Sequence, residues 1–413
     1  MDKTKLTKLE KYWILYDVGN SAFILLVSTI IPIYYNSLAE AEGISSVDYL
    51  ASWGYAVSLC TIIVAGLGPV LGTIADNKDF KKPVFTITMM IGVIGCAALS
   101  FPTTWITFLA VFVIAKIGYN ASLIFYDSML TDVSEPDRMD MVSSHGYAWG
   151  YIGSCVPFIV SLVFVLFNEK IGISMGTAMM IAFFLNAGWW LLVTMPLLKN
   201  YKQKYYVEKE GHVIRHSFSR LGHSLKELKA NKNILYFLLA FFFYIDGVYT
   251  IIEMATAYGS AVGLDTQGLL LALLVTQIVA FPAALIFSRL SKNVKTGKLI
   301  RICIIAYTLI ALFAITLDSQ WKFWVLAIFV GMFQGGIQAL SRSYFAKIIP
   351  AEKSGEYFGI FDICGKGASF LGTMLMGLFA QISGNANGGV FILSIMFIIG
   401  FFLFSKAEKL NEV

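Results

Sequence analysis

Long apolar runs alternate with short polar stretches along the whole chain, and within each run the apolar character is continuous. A helix needs about 20 such residues to cross a bilayer, because hydrocarbon offers no partner to an unpaired backbone group. Windows of that length predict twelve spans, at 13–37, 50–75, 83–101, 104–131, 140–167, 174–198, 233–259, 267–289, 299–317, 321–349, 356–382 and 387–405. Several exceed the minimum, which predicts tilt or helical extension into water. A transmembrane β-barrel would alternate apolar and polar positions, so continuous runs exclude it. The fold class predicted is an all-α membrane protein.

Composition supports that class. Of 413 residues, 57% are apolar, 15% aromatic and only 14% charged, against roughly 25% charged in an average soluble protein. A mean hydropathy of +0.72 leaves too few polar side chains to cover a water-facing surface. The net charge of +5 is scattered between apolar runs, which points to membrane topology and away from nucleic acid. Cys60, Cys96, Cys155, Cys303 and Cys364 fall in or beside apolar stretches without metal spacing, so no disulfide is expected. The basic segment before the first run lacks a small-residue cleavage site and reads as the lead-in to a retained span.

Charge also sets orientation. With the first residues in the cytoplasm, 27 of the 31 Lys and Arg fall in inside segments. Lys170 and Lys322 lie outside, and Lys116 and Lys366 lie within spans. Both termini are therefore expected in the cytoplasm. The connection 132–140 runs against the trend, being net acidic.

One connection divides the chain. Residues 199–232 carry nine Lys/Arg, three Glu and His212, His216 and His223. The irregular histidine spacing favours a solvated, partly amphipathic linker on the anionic leaflet over a metal site or pH sensor. It separates an N-terminal six-helix bundle, 1–198, from a C-terminal one, 233–413. The halves echo each other, with Tyr16-Asp17-Val18-Gly19-Asn20 opposite Tyr244-Ile245-Asp246-Gly247-Val248. Asp17 and Asp246 are expected at matching places. Duplicated six-helix units are the pattern of secondary transporters that alternate access around a midplane site.

Charges inside the spans are the candidate chemistry. An ionisable group in mid-bilayer costs at least roughly 2.5–3.5 kcal/mol, so each needs a reason. Asp17, Lys116, Asp127, Asp246, Glu253, Asp362 and Lys366 all lie within predicted spans. Helical spacing puts Asp246, Tyr249, Thr250 and Glu253 on one stripe, and Asp17, Asn20 and Ser21 on another. Lys116, Asn120 and Asp127 share a face of the fourth span, and Gln334, Gln338 and Arg342 a face of the tenth. Asp17, Asp127, Asp246, Glu253, Asp362 and Lys366 are read as coupling or cavity residues. Asn20, Lys116, Asn120, Trp149, Tyr249, Gln334, Gln338 and Arg342 are read as substrate-binding. The competing reading is that polar stripes glue helices together, with Asp362 and Lys366 a self-satisfied i, i+4 pair.

Between the second and third spans, Gly72 lets helices approach closely and Asp76 is placed to cap a neighbouring helix. Lys81 and Lys82 are expected at the cytoplasmic interface, completing a gating set. No Walker loop, dinucleotide fingerprint, catalytic triad or zinc spacing occurs, so neither enzyme chemistry nor a cofactor is expected.

These residues resemble the major facilitator superfamily. Gly72-x-x-x-Asp76 with Lys81-Lys82 resembles its signature between helices two and three, and Lys116-Ile117-Gly118-Tyr119-Asn120-Ala121 its fourth-helix motif, with Lys where Arg is usual. Tyr16 to Phe23, Phe125-Tyr126-Asp127 with Gly146 to Gly153, Phe243 to Gly247 and Gly335 to Ser343 are similar to its vacuole-effluxer-like branch. The fifth-helix antiporter motif is matched in part, by Gly146, Gly150, Gly153 and Pro157. The resemblance implies two pseudo-symmetric six-helix bundles, with spans 1, 4, 7 and 10 lining a central cavity.

The expected function is secondary active transport of a small polar solute, coupled to protons or sodium, with efflux of amino acids or related metabolites favoured. The alternatives are a cation-coupled glycoside importer, or an uncoupled lipid scramblase or membrane sensor. Expected partners are the solute and the lipid bilayer, with the chain a monomer in a bacterial plasma membrane.

Overall fold

The computed structural model describes residues 5–44, 46–208, 226–261, 263–383 and 386–411. Among these, twelve helices are long and apolar enough to span a membrane. They are α1 (Lys8–Ala41), α2 (Ser52–Ala75), α3 (Lys81–Ala98), α4 (Trp105–Val133), α5 (Met139–Leu166) and α6 (Met175–Asn200), followed by α7 (Lys232–Ala255), α8 (Leu271–Leu290), α9 (Thr296–Ala314), α10 (Gln320–Ile348), α11 (Ala351–Ser383) and α12 (Gly388–Asn411). They coincide with the twelve apolar runs, mostly to within a few residues.

Local chemistry explains several ends. A capping box starts α1: Thr7 Oγ1 accepts the Glu10 N–H at 3.2 Å, and the Glu10 carboxylate accepts the Thr7 N–H at 2.7 Å. The same helix breaks at Thr29, three residues before Pro32, whose missing N–H interrupts the backbone ladder. Thr104 and Ser174 cap α4 and α6 through their side chains.

The chain forms two compact units, Met1–Val133 with Trp149–Val213 and Glu352–Gly359, and Ser134–Ala148 with Ile214–Ala351 and Ile360–Val413. In the first, the main packing pairs are α1 with α6, α2 with α4, α3 with α4, and α3 with α6. In the second they are α7 with α12, α8 with α10, α9 with α10, and α9 with α12. Each pairing recurs six helices later, so the internal repeat is structural as well as sequential. An aromatic cluster fills the first unit, with Trp13 stacked on Tyr126 at 4.4 Å and Phe23 beside Tyr119 and Trp190.

The units do not divide simply at 199–232. Residues 134–148, the loop before α5 and its first turns, belong to the second, and the start of α11 (352–359) to the first. The polar contacts of these two helix starts, described below, give the reason.

Candidate gating and binding residues

In the first unit a polar cluster gathers around the loop after α2. Asp76 lies one residue beyond that helix, fully buried, and its carboxylate accepts the N–H of Gly355 at 2.7 Å and of Glu356 at 2.9 Å. These are among the first N–H groups of α11, which have no partner within their own helix. A carboxylate there also meets the positive end of the helix dipole. Burial pushes the Asp76 carboxyl up to about 7, against the opposing pull of Lys81 and the two N–H groups.

Glycines make the approach close enough. A Cβ on Gly355 would come 2.7 Å from the Gly72 carbonyl oxygen, and one on Gly359 would come 2.7 Å from the Pro69 backbone. Gly68-x-x-x-Gly72 of α2 thus faces Gly355-x-x-x-Gly359 of α11, backbone against backbone.

Lys81 departs from expectation. It is not at an aqueous surface but fully buried, donating to Asp132 at 3.1 Å and Ser354 at 2.8 Å, with Asp76 at 4.0 Å. A buried ammonium requires such partners, and Asp132 supplies the opposite charge. Lys82 is half-buried beside it.

The linker also departs from expectation at its start. Residues 201–207 form an extended strap bound to the first unit, while 209–225, with His212, His216 and His223, lie outside the described residues. The Tyr201 hydroxyl donates to Asp132 at 2.5 Å, and the N–H groups of Lys204 and Tyr205 donate to its other oxygen at 3.0 and 2.9 Å. Burial and the adjacent Asp132 carboxylate hold the Tyr201 phenol well above its ordinary value, so it remains a donor. The Gln203 amide donates to the Ala75 carbonyl at 3.2 Å and its oxygen accepts the Lys81 N–H at 3.3 Å. A parallel bridge pairs Asn77 with Val207. Backbone groups freed at the helix end find partners in the strap, which holds it against the protein with Tyr201 buried and Lys202 and Lys204 exposed.

The second unit contains a corresponding cluster. Asp140, in the first turn of α5, pairs with Lys347 at 2.6 Å and accepts from Thr296 at 2.5 Å and Ser343 at 2.6 Å. Arg342 is buried, donating from Nε to Ser143 Oγ at 2.9 Å and from Nη2 to the Ser143 carbonyl at 3.1 Å. Its guanidinium lies over the Tyr147 ring at 4.4 Å.

Asp132, Asp140, Tyr201 and Ser143 were not among the candidates read from sequence. The signal was present in the acidic loop 132–140 that opposed the positive-inside trend. Two of its acids are buried and paired with lysines of other connections, Lys81 and Lys347.

Deeper in the second unit, Asp246 of α7 is fully buried. Its Oδ1 accepts the Gly372 N–H at 3.1 Å and the Thr250 hydroxyl at 3.3 Å, while Oδ2 has no hydrogen-bond partner among the described residues. Thr250 and Gln334 line the adjoining pocket of about 90 Å³, which is otherwise mostly apolar. Gln338 is half-buried on the same helix, and Glu253, one turn beyond Thr250, is exposed. Asp362 and Lys366 form an i, i+4 pair at 2.5 Å.

In the first unit, Asp17 and Asn20 are buried on α1, with the Asn20 amide donating to the Tyr16 carbonyl at 2.8 Å. Asp17 lies against Gly150 of α5. Asn120 is buried on α4, Asp127 is half-buried, and the Lys116 ammonium lies 5.5 Å from the Tyr119 ring. Trp149 is 45% exposed. Asp17 and Asp246 are not strictly matched. Tyr16 bonds Ser122 and Tyr244 bonds Ser341, which aligns the two helices and leaves the acids one residue out of register. That offset is a rotation of about 100° on a helix.

The model of the family described as Vacuole effluxer Atg22 like matches residues 7–138 and 131–409. The "Uncharacterized MFS-type transporter YxiO" of Bacillus subtilis (strain 168) is 41% identical over 401 residues, covering 96% of this chain and 94% of that protein. The chain belongs to the vacuole-effluxer family of the major facilitator superfamily.

Within this effluxer family, Autophagy-related protein 22 of Eremothecium gossypii is 23% identical over 445 residues, covering 92% of this chain and 87% of that protein. Among solved structures, the major facilitator transporter FucP in its outward conformation aligns with a TM-score of 0.72 at 13% identity, covering 97% of each chain. The human organic anion transporter MFSD10 aligns at 0.68 and 16%, covering 98% of this chain and 100% of that one. At such identities these likenesses establish the fold alone. The effluxer-family chain is a multi-pass integral membrane transporter, not an enzyme.

Proposed function

We propose that this chain is a proton-coupled secondary transporter exporting amino acids or related small metabolites. The observation that carries the reading is Asp246, a carboxyl buried in a span with one oxygen lacking a partner among the described residues. An unpaired charge in mid-membrane is expensive, so the neutral acid is the form this setting favours. A proton bound there from one side and released to the other would couple solute movement to a pH gradient. Sodium would need several more oxygen ligands than the Asp246 and Thr250 pair supplies.

The family description as an effluxer supports the outward direction. A zwitterionic solute needs a cation for its carboxylate, and Lys116 is our candidate. The halves 1–198 and 233–413 are proposed as the moving bundles joined by 199–232. Both termini are placed in the cytoplasm of a bacterial plasma membrane on the distribution of Lys and Arg, and the working form is taken as a monomer.

The test is export of labelled amino acids from proteoliposomes with an imposed pH gradient. Wild type should respond to the gradient. Asp246→Asn should lose that response while still exchanging solute at equal concentration, because binding and movement need no proton release. Gradient-driven movement in Asp246→Asn equal to wild type would overturn the assignment.

A further inference from the structure

A separate pocket of about 450 Å³ lies where α9 begins and α12 ends. Its lining includes Lys295, Lys298, Arg301 and Lys409, together with Ser405 and Glu408. Glu408 pairs with Arg301 at 3.0 Å, and Gly297 lets the carboxylate lie flat against α9. With that pair neutral, Lys295, Lys298 and Lys409 dominate the field of the pocket, and all three are exposed.

The surroundings say what kind of anion fits. Both helices are membrane spans, so the pocket opens at the level of the lipid headgroups. From Lys298, helical spacing leads along one face to Ile302, Ile305 and Leu309, which are 42%, 47% and 61% exposed. From Lys409 and Ser405, it leads to Phe402, Ile398 and Ile395, 68%, 45% and 37% exposed. Two apolar tracks therefore descend from one basic pocket. A soluble anion would use the pocket alone. A diacyl lipid would use the pocket and the tracks together, its phosphate among the ammonium groups and its chains along the exposed apolar faces.

We propose that this pocket is a binding site for the phosphate of an anionic membrane lipid. Each lysine contributes attraction that, near a membrane surface, is equivalent to about a fivefold change in affinity. Glu408 opposes the ligand and limits how tightly it is held.

The test is native mass spectrometry of the purified full chain, titrated with dioleoylphosphatidylglycerol or dioleoylphosphatidylcholine. Wild type should retain the anionic lipid preferentially. Lys295→Gln/Lys298→Gln/Lys409→Gln should lose that preference by at least tenfold with an unchanged melting temperature, and Glu408→Gln should gain affinity. Competition by 10 mM inorganic phosphate should be weak. Equal retention of both lipids by wild type, or an unchanged preference in the triple variant, would overturn the site. Full displacement by inorganic phosphate would overturn the lipid assignment in favour of a soluble anion.

Discussion

The hydroxyls of Tyr16 and Ser122 are 2.5 Å apart in the first unit, and the second rebuilds the pair as Tyr244 and Ser341 at 2.7 Å. Each joins the first helix of its repeat to the fourth. Each serine also donates to a carbonyl of its own helix, Ser122 to Tyr119 and Ser341 to Ile337. Removing the phenol therefore leaves the serine satisfied. Tyr16→Phe and Tyr244→Phe should each lower stability by about 0.5–1.5 kcal/mol. The two pairs share no partner, so the double variant should lose the sum of the two. Denaturation in detergent checks this, and a coupling above about 1 kcal/mol would contradict it.

Asp76 predicts a pH dependence with a defined sign. Its carboxyl is raised from the usual carboxylate range to about 7 by burial, so forming the contact with α11 binds a proton. The groups facing it are Lys81, Glu356 and, through Lys81, Asp132 and Tyr201. The contact should be strongest at acid pH and weaken as pH rises from about 4 to about 7. Hydrogen exchange of the 351–359 peptide, corrected for intrinsic rate, should show protection falling over that range. In Asp76→Asn the fall should vanish, and protection should lie below the acid-pH level of wild type, since an amide NH2 cannot accept the second N–H. A pH-dependent fall in Asp76→Asn equal to wild type would assign it to another group.

Tyr201→Phe isolates the strap. The ring still fills its buried site, but Asp132 loses one of its four donors, and hydrogen bonds to charged groups are worth about 1.5–3 kcal/mol. The melting temperature should fall, and residues 201–207 should become accessible to proteolysis before any helix does. Loss of stability with the strap still protected would mean that its backbone bonds hold it alone.

Arg342→Lys separates gating from binding. A lysine can neither stack flat on Tyr147 nor reproduce the paired donors to Ser143. Transport should slow about tenfold or more while solute affinity stays within a few-fold. A large loss of affinity instead would return Arg342 to the substrate site.

The twelve helices were legible because lipid imposes one simple rule, a long apolar run, and the repeat was legible because Tyr16 and Tyr244 recur in similar surroundings. The buried ionic clusters were not. Lys81 reads as an interfacial lysine until Asp132, 51 residues away, is known to face it. Tyr201 and Gln203 read as linker residues because nothing local says that their partners lie at residues 75–81 and 132. The one-residue offset between Asp17 and Asp246 was likewise hidden, since sequence alignment by the shared acid is as natural as alignment by the tyrosine. Pairwise placement was missing in each case, not residue chemistry.

The facing glycines of α2 and α11 bear on speed as well as fit. Most helix contacts interlock side chains, and parting them means unthreading knobs from holes and freezing rotamers again on return. Between Gly68, Gly72, Gly355 and Gly359 there are no such teeth. The surfaces touch through smooth backbone, held by dispersion and by the Asp76 carboxylate at one end. Were its few polar bonds released, no side chain on the glycine faces would have to be unthreaded for the two helices to part or re-engage. Side chains at these positions would turn a latch into a ratchet.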